Sequence, residues 1–240
     1  MKTREEYIEA VKVKLEEISP FKEPDHFIDG TSDPDFDCVK PIVSYIEKNL
    51  DEAAQNCLRS LPLSLLHADI ERKTDGFSVD VNGVGIITGI HANYRYVRFR
   101  HEALKRDITA FITSEDPLYL VQQNEHVRGG LAKPVAVLAS YAETGNYYGQ
   151  IEIYSFKPKM AAAFNPSAVS TNFVLLYINT EKKVGVASDF SPATPALVQS
   201  PIEDLIVLEC AKMVFAILGN FDGVKSCENE QAEKIQAILK

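Results

Sequence analysis

The chain has 240 residues, of which 45% are hydrophobic, so it can bury a substantial core and is neither disordered nor collagen-like. Four cysteines without metal-ligand spacing exclude a disulfide scaffold and favour buried thiols in a reducing compartment. The net charge of -9 disfavours a protein that coats nucleic acid by displacing counterions. We expect no secretory signal and no membrane helix, because the first residues carry glutamates and the most apolar run, 202–218, contains charged residues.

Two helices are predicted in the first part of the chain. Thr3 and Glu6 have the spacing of a capping box, and the apolar residues that follow form a narrow stripe of the kind that meets a partner helix. The segment 19–35 is rich in proline and acidic residues, which predicts an extended, solvated loop. A second helix is predicted from Pro41 to Leu61, with its apolar residues on one face.

From Phe77 the apolar period changes from that of a helix to that of a strand. The connections are too short for helical crossovers, which predicts a mostly antiparallel sheet. The predicted strands are Phe77–Val81, Val84–Ile90, Tyr94–Arg100, Ile108–Thr113, Tyr119–Gln123, Pro134–Tyr141, Gln150–Phe156 and Phe173–Ile178.

The last part of the chain predicts a helical hairpin. Ser200, Pro201 and Glu203 supply an N-cap, a first-turn proline and a capping-box glutamate. The helix 201–218 is apolar on two faces, so it must be covered on both sides. Gly219 is expected to end it, and Asp222 to cap a final helix near 223–239.

These elements predict an α+β fold in which N- and C-terminal segments form a helical bundle around a mostly antiparallel β insertion. The expected organisation is residues 1–66 for the N-terminal helices with the acidic loop and 67–190 for the β-rich insertion. Residues 191–240 are expected to form a C-terminal hairpin that packs with the N-terminal helices.

No residue pattern typical of catalysis is found. The glycine-rich run 81–89 continues as a strand, whereas a dinucleotide fingerprint requires a helix after it. The five histidines are scattered without the spacing of a helical metal pair, and no serine has nucleophile-elbow context. We therefore expect no catalytic residue, cofactor or metal, and a small hydrolase or other enzyme is an alternative with no residues assigned to it.

A basic and aromatic cluster, YRYVRFRHEALKR, lies at 94–106. Basic residues interleaved with aromatic ones can pair with phosphates and stack on bases, which makes a cytosolic nucleic-acid-binding module the alternative function. The other interpretation is a strand whose arginines face solvent or the acidic residues of a neighbour. Residues 1–60 carry a net charge of -6 and residues 201–240 carry -3, so an acidic end of one copy could meet this strand of another.

The run YRYVRFRHEALKRDITAFITSEDPLYLVQQNEHVRGGLAKPVAVL, followed by QIEIYSF, resembles neck ring proteins of crAss-like short-tailed bacteriophages, which infect Bacteroides. The order of elements, with helices first, then a β insertion and a closing helical hairpin at 201–239, is similar to head–tail adaptors of short-tailed phages. The resemblance covers the chain from about residue 60 onward.

The resemblance implies a virion structural protein, assembled in the host bacterial cytoplasm, that forms a closed dodecameric ring on the capsid portal. The implied partners are further copies of the chain, the portal protein, and an adjacent neck ring or tail protein. DNA would pass through the extended channel without specific binding, and no membrane would be involved. The candidate residues for the ring or portal interface are Arg95, Arg98, Arg100, Lys105, Arg106, Ile8, Val11, Leu15, Val207 and Phe215.

Overall fold

A computed structural model describes residues 2–18, 42–91, 93–140, 148–155, 173–185 and 196–239. The fold is α+β, with a helical bundle from the N- and C-terminal segments and a mostly antiparallel β insertion, as the sequence predicts. The predicted acidic loop at 19–35 lies outside the described residues. The helices are α1 (Arg4–Ile18), α2 (Ile42–Ser60), α3 (Pro117–Gln122), α4 (Glu203–Ile217) and α5 (Phe221–Leu239).

The chain divides into two compact units. The helical unit comprises Met1–Asp69 and Thr180–Lys240, and the β unit comprises Ile70–Asn179. Among the described helices, none combines the length and the apolar character that crossing a bilayer requires. The strands are β1 (Ile70–Lys73), β2 (Phe77–Val79), β3 (Val84–His91), β4 (Tyr94–His101), β5 (Phe111–Thr113), β6 (Val135–Ser140), β7 (Tyr148–Tyr154) and β8 (Phe173–Asn179).

Helix α4 is the centre of the helical unit. Helices α1, α2 and α5 all pack against it, which confirms that its two apolar faces are both covered. Each large apolar side chain buried there contributes about 1.5–3 kcal/mol relative to an exposed one. Cys57, Cys210 and Cys227 are buried free thiols in this unit, and burial raises the pKa of each.

The start of α1 follows the sequence prediction, and the start of α4 does not. The backbone N–H of Thr3 donates to Glu6 Oε2 at 2.8 Å, and the N–H of Glu6 donates to Thr3 Oγ1 at 3.2 Å, so the capping box forms. The predicted cap at Ser200 is wrong, because Ile202 occupies the N-cap position of α4 and no side chain caps the helix.

The turn between α4 and α5 is a Schellman motif. Gly219 has φ +72° and donates its N–H to the carbonyl of Ala216, while Asn220 donates its N–H to that of Phe215. The Asn220 side chain then accepts the N–H of Gly223 at 2.9 Å. Asn220 therefore supplies the cap that the sequence pattern assigned to Asp222.

A buried ion pair joins distant segments of the helical unit. Asp69, which is fully buried, accepts hydrogen bonds from Lys182 Nζ at 3.0 Å, from the N–H of Gln199 at 2.9 Å and from the N–H of Ser200 at 2.8 Å. The Lys182 side chain is 5% exposed. The sequence predicts Ser200 as the N-cap of α4, but in the structure the N–H of Ser200 donates to Asp69 and the helix begins after Ile202.

The β unit contains a three-stranded sheet, in the order β1-β8-β4, and a five-stranded sheet, in the order β2-β3-β7-β6-β5. Neighbouring strands are antiparallel except for β5 and β6, which are parallel. Both sheets contribute to one hydrophobic core, which includes Phe77, Ile87, Ile151, Phe99, Phe173 and Leu175.

Three strand assignments change in the structure. The predicted strand Tyr119–Gln123 is wrong, because this segment forms α3, with Asp116 as N-cap and Pro117 in the first turn. Of the predicted strand Ile108–Thr113 only Phe111–Thr113 is a strand, and Ile108 forms an isolated bridge. Strand β1 was not predicted, since its sequence IERK has no alternation of apolar residues.

Candidate interaction surface

The arginines of β4 lie on one face of the three-stranded sheet. In antiparallel pairs, directly opposed residues share a face. Arg98 is opposite Leu176, which is opposite Arg72 of β1, and Arg100 is opposite Val174. We call this surface, formed by Arg72, Arg98, Arg100, Val174 and Leu176, the arginine face. Its three arginines are exposed, and the two central apolar residues are half-buried.

A bulge in β4 brings Arg95 to the same side. Tyr96 is opposite Tyr177 and Arg98 is opposite Leu176, so Val97 is an extra residue in the strand. Without the bulge, Arg95 and Arg98 would point to opposite faces, because side chains alternate along a strand. The bulge therefore places every arginine of β4 on one face, with the aromatic side chains of the strand on the other.

One carboxylate lies beside two of these arginines. Asp107 Oδ2 is 3.6 Å from Arg98 Nη1, and Asp107 Oδ1 is 3.9 Å from Arg100 Nε. The side chains of Arg98 and Arg100 are 47% and 70% exposed, and exposed ion pairs of this kind contribute about 0–1 kcal/mol. Asp107 balances one of the two charges, so the face remains basic.

The other candidate bases are less closely grouped. Lys105 and Arg106 are exposed on the turn that follows β4 and leads to Asp107. Arg95 lies near the opposite end of β4, and its partner on β8 is four residues from the partner of Arg100, so the two arginines are about 13 Å apart along the sheet. It is half-buried opposite Ile178, and burial lowers the pKa of its guanidinium. The structure thus brings Arg98 and Arg100 together and leaves Arg95 apart.

The apolar interface candidates lie mainly inside the helical unit. Val11, Leu15, Val207 and Phe215 are buried in the chain's own core, and only Ile8 is half-buried. Four of these side chains therefore have little surface to offer a second copy. Their assignment to an interface stays a prediction.

Charge is strongly segregated between the two units. The helical unit has 24 acidic and 14 basic residues, a net charge of -10, whereas the β unit has 10 acidic and 11 basic residues, a net charge of +1. Glutamates on the exposed side of α1 form part of the acidic surface: Glu5, Glu6, Glu9, Glu16 and Glu17. The arginine face and this helix are complementary surfaces carried by the same chain.

A second polar cluster in the β unit is internally satisfied. Glu152, on β7, accepts the hydroxyl proton of Tyr154 at 2.6 Å and the Gln150 amide at 3.0 Å. Burial and then Glu152 raise the pKa of Tyr154. Gln123 donates to the tyrosine oxygen at 3.2 Å. These hydrogen bonds explain why the carboxylate of Glu152 can be buried, so no catalytic role is needed to explain its position.

The described residues contain no group of three or more His, Cys, Asp or Glu that could hold a metal ion. His101 is buried, and its Nδ1 accepts the N–H of Ala103 at 3.1 Å. No family model matches the chain, and no curated protein is significantly similar to it in sequence.

Sequence reasoning missed Arg72, Val174 and Leu176 as members of the arginine face. Arg72 belongs to a strand that has no apolar alternation, so the sequence offered no reason to pair it with β8. The alternation of apolar residues in β8 is visible in the sequence. Which residues of β8 share a face with the arginines, however, depends on the register and on the bulge at Val97.

Proposed function

We propose that this chain is a structural protein of a phage virion that forms a ring in the neck, between the capsid portal and the tail. We infer this kind of assembly from the resemblance of the sequence to phage neck ring proteins. The observation that carries the proposal is the separation of a helical unit with a net charge of -10 from a β unit with an exposed arginine face. A ring requires two different, complementary surfaces on every subunit.

In the proposed ring, the arginine face of one copy contacts the acidic helical unit of the next. Such head-to-tail contacts are heterologous, and they close into a ring when the rotation between copies divides a full turn. Charge complementarity orients the partners and rejects wrong registers more than it adds affinity. The half-buried Val174 and Leu176 supply apolar area between the arginines.

The proposed ring extends the DNA channel and contacts the portal and an adjacent neck ring or tail protein. DNA must move along such a channel, so its wall should not hold phosphates. The overall charge of -9 suits this requirement if the exposed arginines are covered at contacts between subunits or rings. The dodecameric number comes from the resemblance.

The test is a charge reversal on the arginine face. Arg98→Glu with Arg100→Glu should abolish ring formation, alone and on the purified portal, while the variant retains the circular dichroism spectrum of the wild type. Adding Arg95→Glu should have the same outcome. The matched control is Lys133→Glu with Lys225→Glu, two exposed lysines outside the face that give the same change in net charge.

Mass photometry and negative-stain electron microscopy report mass and rotational symmetry. If the arginine variant forms the wild-type ring, the proposed contact is wrong. If the wild-type protein stays monomeric both alone and with the portal, the ring function is wrong.

A nucleic-acid-binding module is the second candidate. The observation that favours it is the exposed arginine face, whose cations can pair with phosphates. The stacked rings of Tyr94 and Tyr177 lie on the other face of the three-stranded sheet, so binding would depend on phosphate contacts and not on base stacking beside the arginines. Filter binding of a single-stranded oligonucleotide should then show salt-sensitive affinity that the Arg98→Glu and Arg100→Glu changes remove. Affinity that is absent at low salt would exclude this function.

A further inference from the structure

Helix α1 exposes a row of glutamates around one apolar residue. Tyr7, Val11 and Leu15 are buried and define the inner side of the helix. The opposite side, a strip roughly 120° wide at about 3.6 residues per turn, carries only glutamates and Val13. All of these side chains are exposed, and Val13 is 46% exposed. We call this strip the acidic ridge: Glu5, Glu6, Glu9, Val13, Glu16 and Glu17.

The lysines of α1 do not neutralise the acidic ridge. Lys12 Nζ donates to Glu9 at 3.1 Å, and Lys14 Nζ donates to Glu17 at 2.8 Å. Lys14 also donates to Glu230 of α5 at 3.1 Å, so it is shared with a carboxylate outside the ridge. Exposed pairs of this kind contribute little, so they can be exchanged for other partners at little cost. Residues 5–17 contain five glutamates and two lysines, a net charge of -3.

The arginine face has the same composition with the opposite charge. Its three exposed arginines surround the half-buried Val174 and Leu176, and Asp107 balances one of the three charges. An apolar centre within a polar rim is the usual composition of a protein interface. The acidic ridge and the arginine face both have this arrangement, and their charges are of opposite sign.

The spacing of the charges also matches. Arg72, Leu176 and Arg98 are opposed residues on three adjacent strands. Two strand spacings therefore separate the two arginines by about 10 Å, with the leucine between them. On α1, Glu9 and Glu16 are seven residues apart, which is about 10.5 Å along the helix axis. The exposed valine of the ridge lies between these two glutamates, as the leucine lies between the arginines.

We propose that α1 of one copy lies across the arginine face of the next copy, with the ridge glutamates beside the arginines and Val13 against Leu176. The occupant is a second copy because one chain carries both surfaces, with opposite charge and the same spacing. Each copy then offers its face to one neighbour and its ridge to the other, which is the heterologous arrangement that a ring requires. This contact rests on the proposed function and identifies the part of the helical unit that meets the arginine face.

A charge reversal on the ridge is the first test. Glu9→Arg with Glu16→Arg should weaken self-association at least tenfold in sedimentation velocity or mass photometry, because like charges would then meet. Glutamate and arginine have similar helix propensities, so the circular dichroism spectrum should not change. The matched control is Glu228→Arg with Glu233→Arg, two exposed glutamates of α5 that give the same change in net charge. It should associate as the wild type does.

Mixing two variants tests whether the two surfaces contact each other. The ridge variant keeps its arginine face, and the variant with Arg98→Glu and Arg100→Glu keeps its ridge. Neither should self-associate alone. Their mixture should associate, beginning with a 1:1 heterodimer in which the intact face of one variant binds the intact ridge of the other. A mixture that stays monomeric would show that the ridge and the face do not meet.

Cysteine cross-linking tests the centre of the contact. A chain with Val13→Cys and Leu176→Cys should form a ladder of disulfide-linked oligomers on oxidation. A mixture of the two single variants should form a cross-linked dimer and no higher species. Each single variant alone should show only the background of the wild type.

The outcomes distinguish this contact from the proposed function. If the ridge variant forms the wild-type ring, or if the α5 control loses association equally, the ridge contact is wrong and the ring function stands. The arginine face then meets another acidic surface or the phosphates of a nucleic acid, which filter binding distinguishes. If the double-cysteine chain cross-links but no closed ring forms with or without the portal, the contact stands and the ring function is wrong. A wild-type protein that is monomeric under every condition overturns both.

Discussion

Replacing Asp69 by alanine should destabilise the helical unit severely. The carboxylate is fully buried and accepts three hydrogen bonds, from Lys182, Gln199 and Ser200. Its removal takes away the carboxylate that lies 3.0 Å from the ammonium of Lys182, whose side chain is 5% exposed. Two backbone N–H groups lose their acceptor at the same time.

The magnitude follows from the burial. Breaking a buried ion pair by removing one partner costs about 3–5 kcal/mol, because an uncompensated charge remains inside the protein. Each orphaned N–H would cost about 1–3 kcal/mol, although these contributions overlap and do not simply add. We expect a loss of about 4 kcal/mol, a large part of the roughly 5–15 kcal/mol by which domains are stable.

Urea unfolding followed by helical circular dichroism measures this loss. The matched control is Asp51→Ala, which breaks the 2.8 Å pair with Arg4, where both side chains are 23% exposed, and should cost about 1 kcal/mol. The double variant Asp69→Ala with Lys182→Met should regain about 2 kcal/mol, because the buried ammonium is gone. Equal losses for Asp69→Ala and Asp51→Ala would refute the reasoning.

The same carboxylate should shape the acid unfolding of the protein. Burial alone would raise the pKa of Asp69, but hydrogen bonds from Ser200, Gln199 and Lys182 outweigh it and lower the pKa. The stabilisation is therefore fully present above the unfolded-state pKa of about 3.9 and is lost as the pH falls through the lower folded-state value. The difference in the free energy of unfolding between the wild type and the Asp69→Asn variant should therefore become smaller below about pH 4. A difference that does not depend on pH would contradict this assignment.

Three smaller predictions test local packing and caps in the same urea assay. Gly223→Ala should cost about 1–3 kcal/mol, because the new Cβ would lie 2.7 Å from Cγ of the buried Phe215 ring; an unchanged midpoint would mean that the ring can shift. Thr3→Ala should cost about 0.5–2 kcal/mol by removing the capping box, and a neutral result would show that α1 frays there regardless. Tyr154→Phe should cost about 1–3 kcal/mol by removing the buried hydrogen bond to Glu152, and a gain in stability would indicate that the carboxylate is better solvated than its burial suggests.

The helices in the N- and C-terminal segments, and their packing around α4, could be predicted because the sequence patterns that indicate them are local. The capping box at Thr3 depends on residues three positions apart, and the two apolar faces of α4 are visible in its own sequence. A helix that is apolar on two faces has to be covered on both, so the sequence also predicts that other helices surround it. Charge segregation likewise follows from composition alone.

The wrong predictions lie where a distant segment forms hydrogen bonds with groups that the local pattern assigns to neighbouring residues. The Ser200-Pro201-Ile202-Glu203 run is a strong local helix start, yet Asp69, more than 100 residues earlier, takes the N–H of Ser200 and the helix begins later. The segment around Tyr119 alternates like a strand, but the Asp116 cap and the Gln122 hydrogen bonds to Leu118 and Gly129 hold it as a helix. Local pattern does not reveal such partners.

The fold class, the buried central helix and the basic character of β4 can all be read from neighbouring residues in the chain. The pairing of distant strands is needed to show that the bulge at Val97 aligns Arg95 with Arg98 and Arg100, that Arg72 joins them across β8, and that the leucines of α3 point to solvent. These features depend on register and on burial against distant strands. Because one residue of register reverses every side chain of a strand, the faces that meet a partner are set by the pairing and not by the pattern.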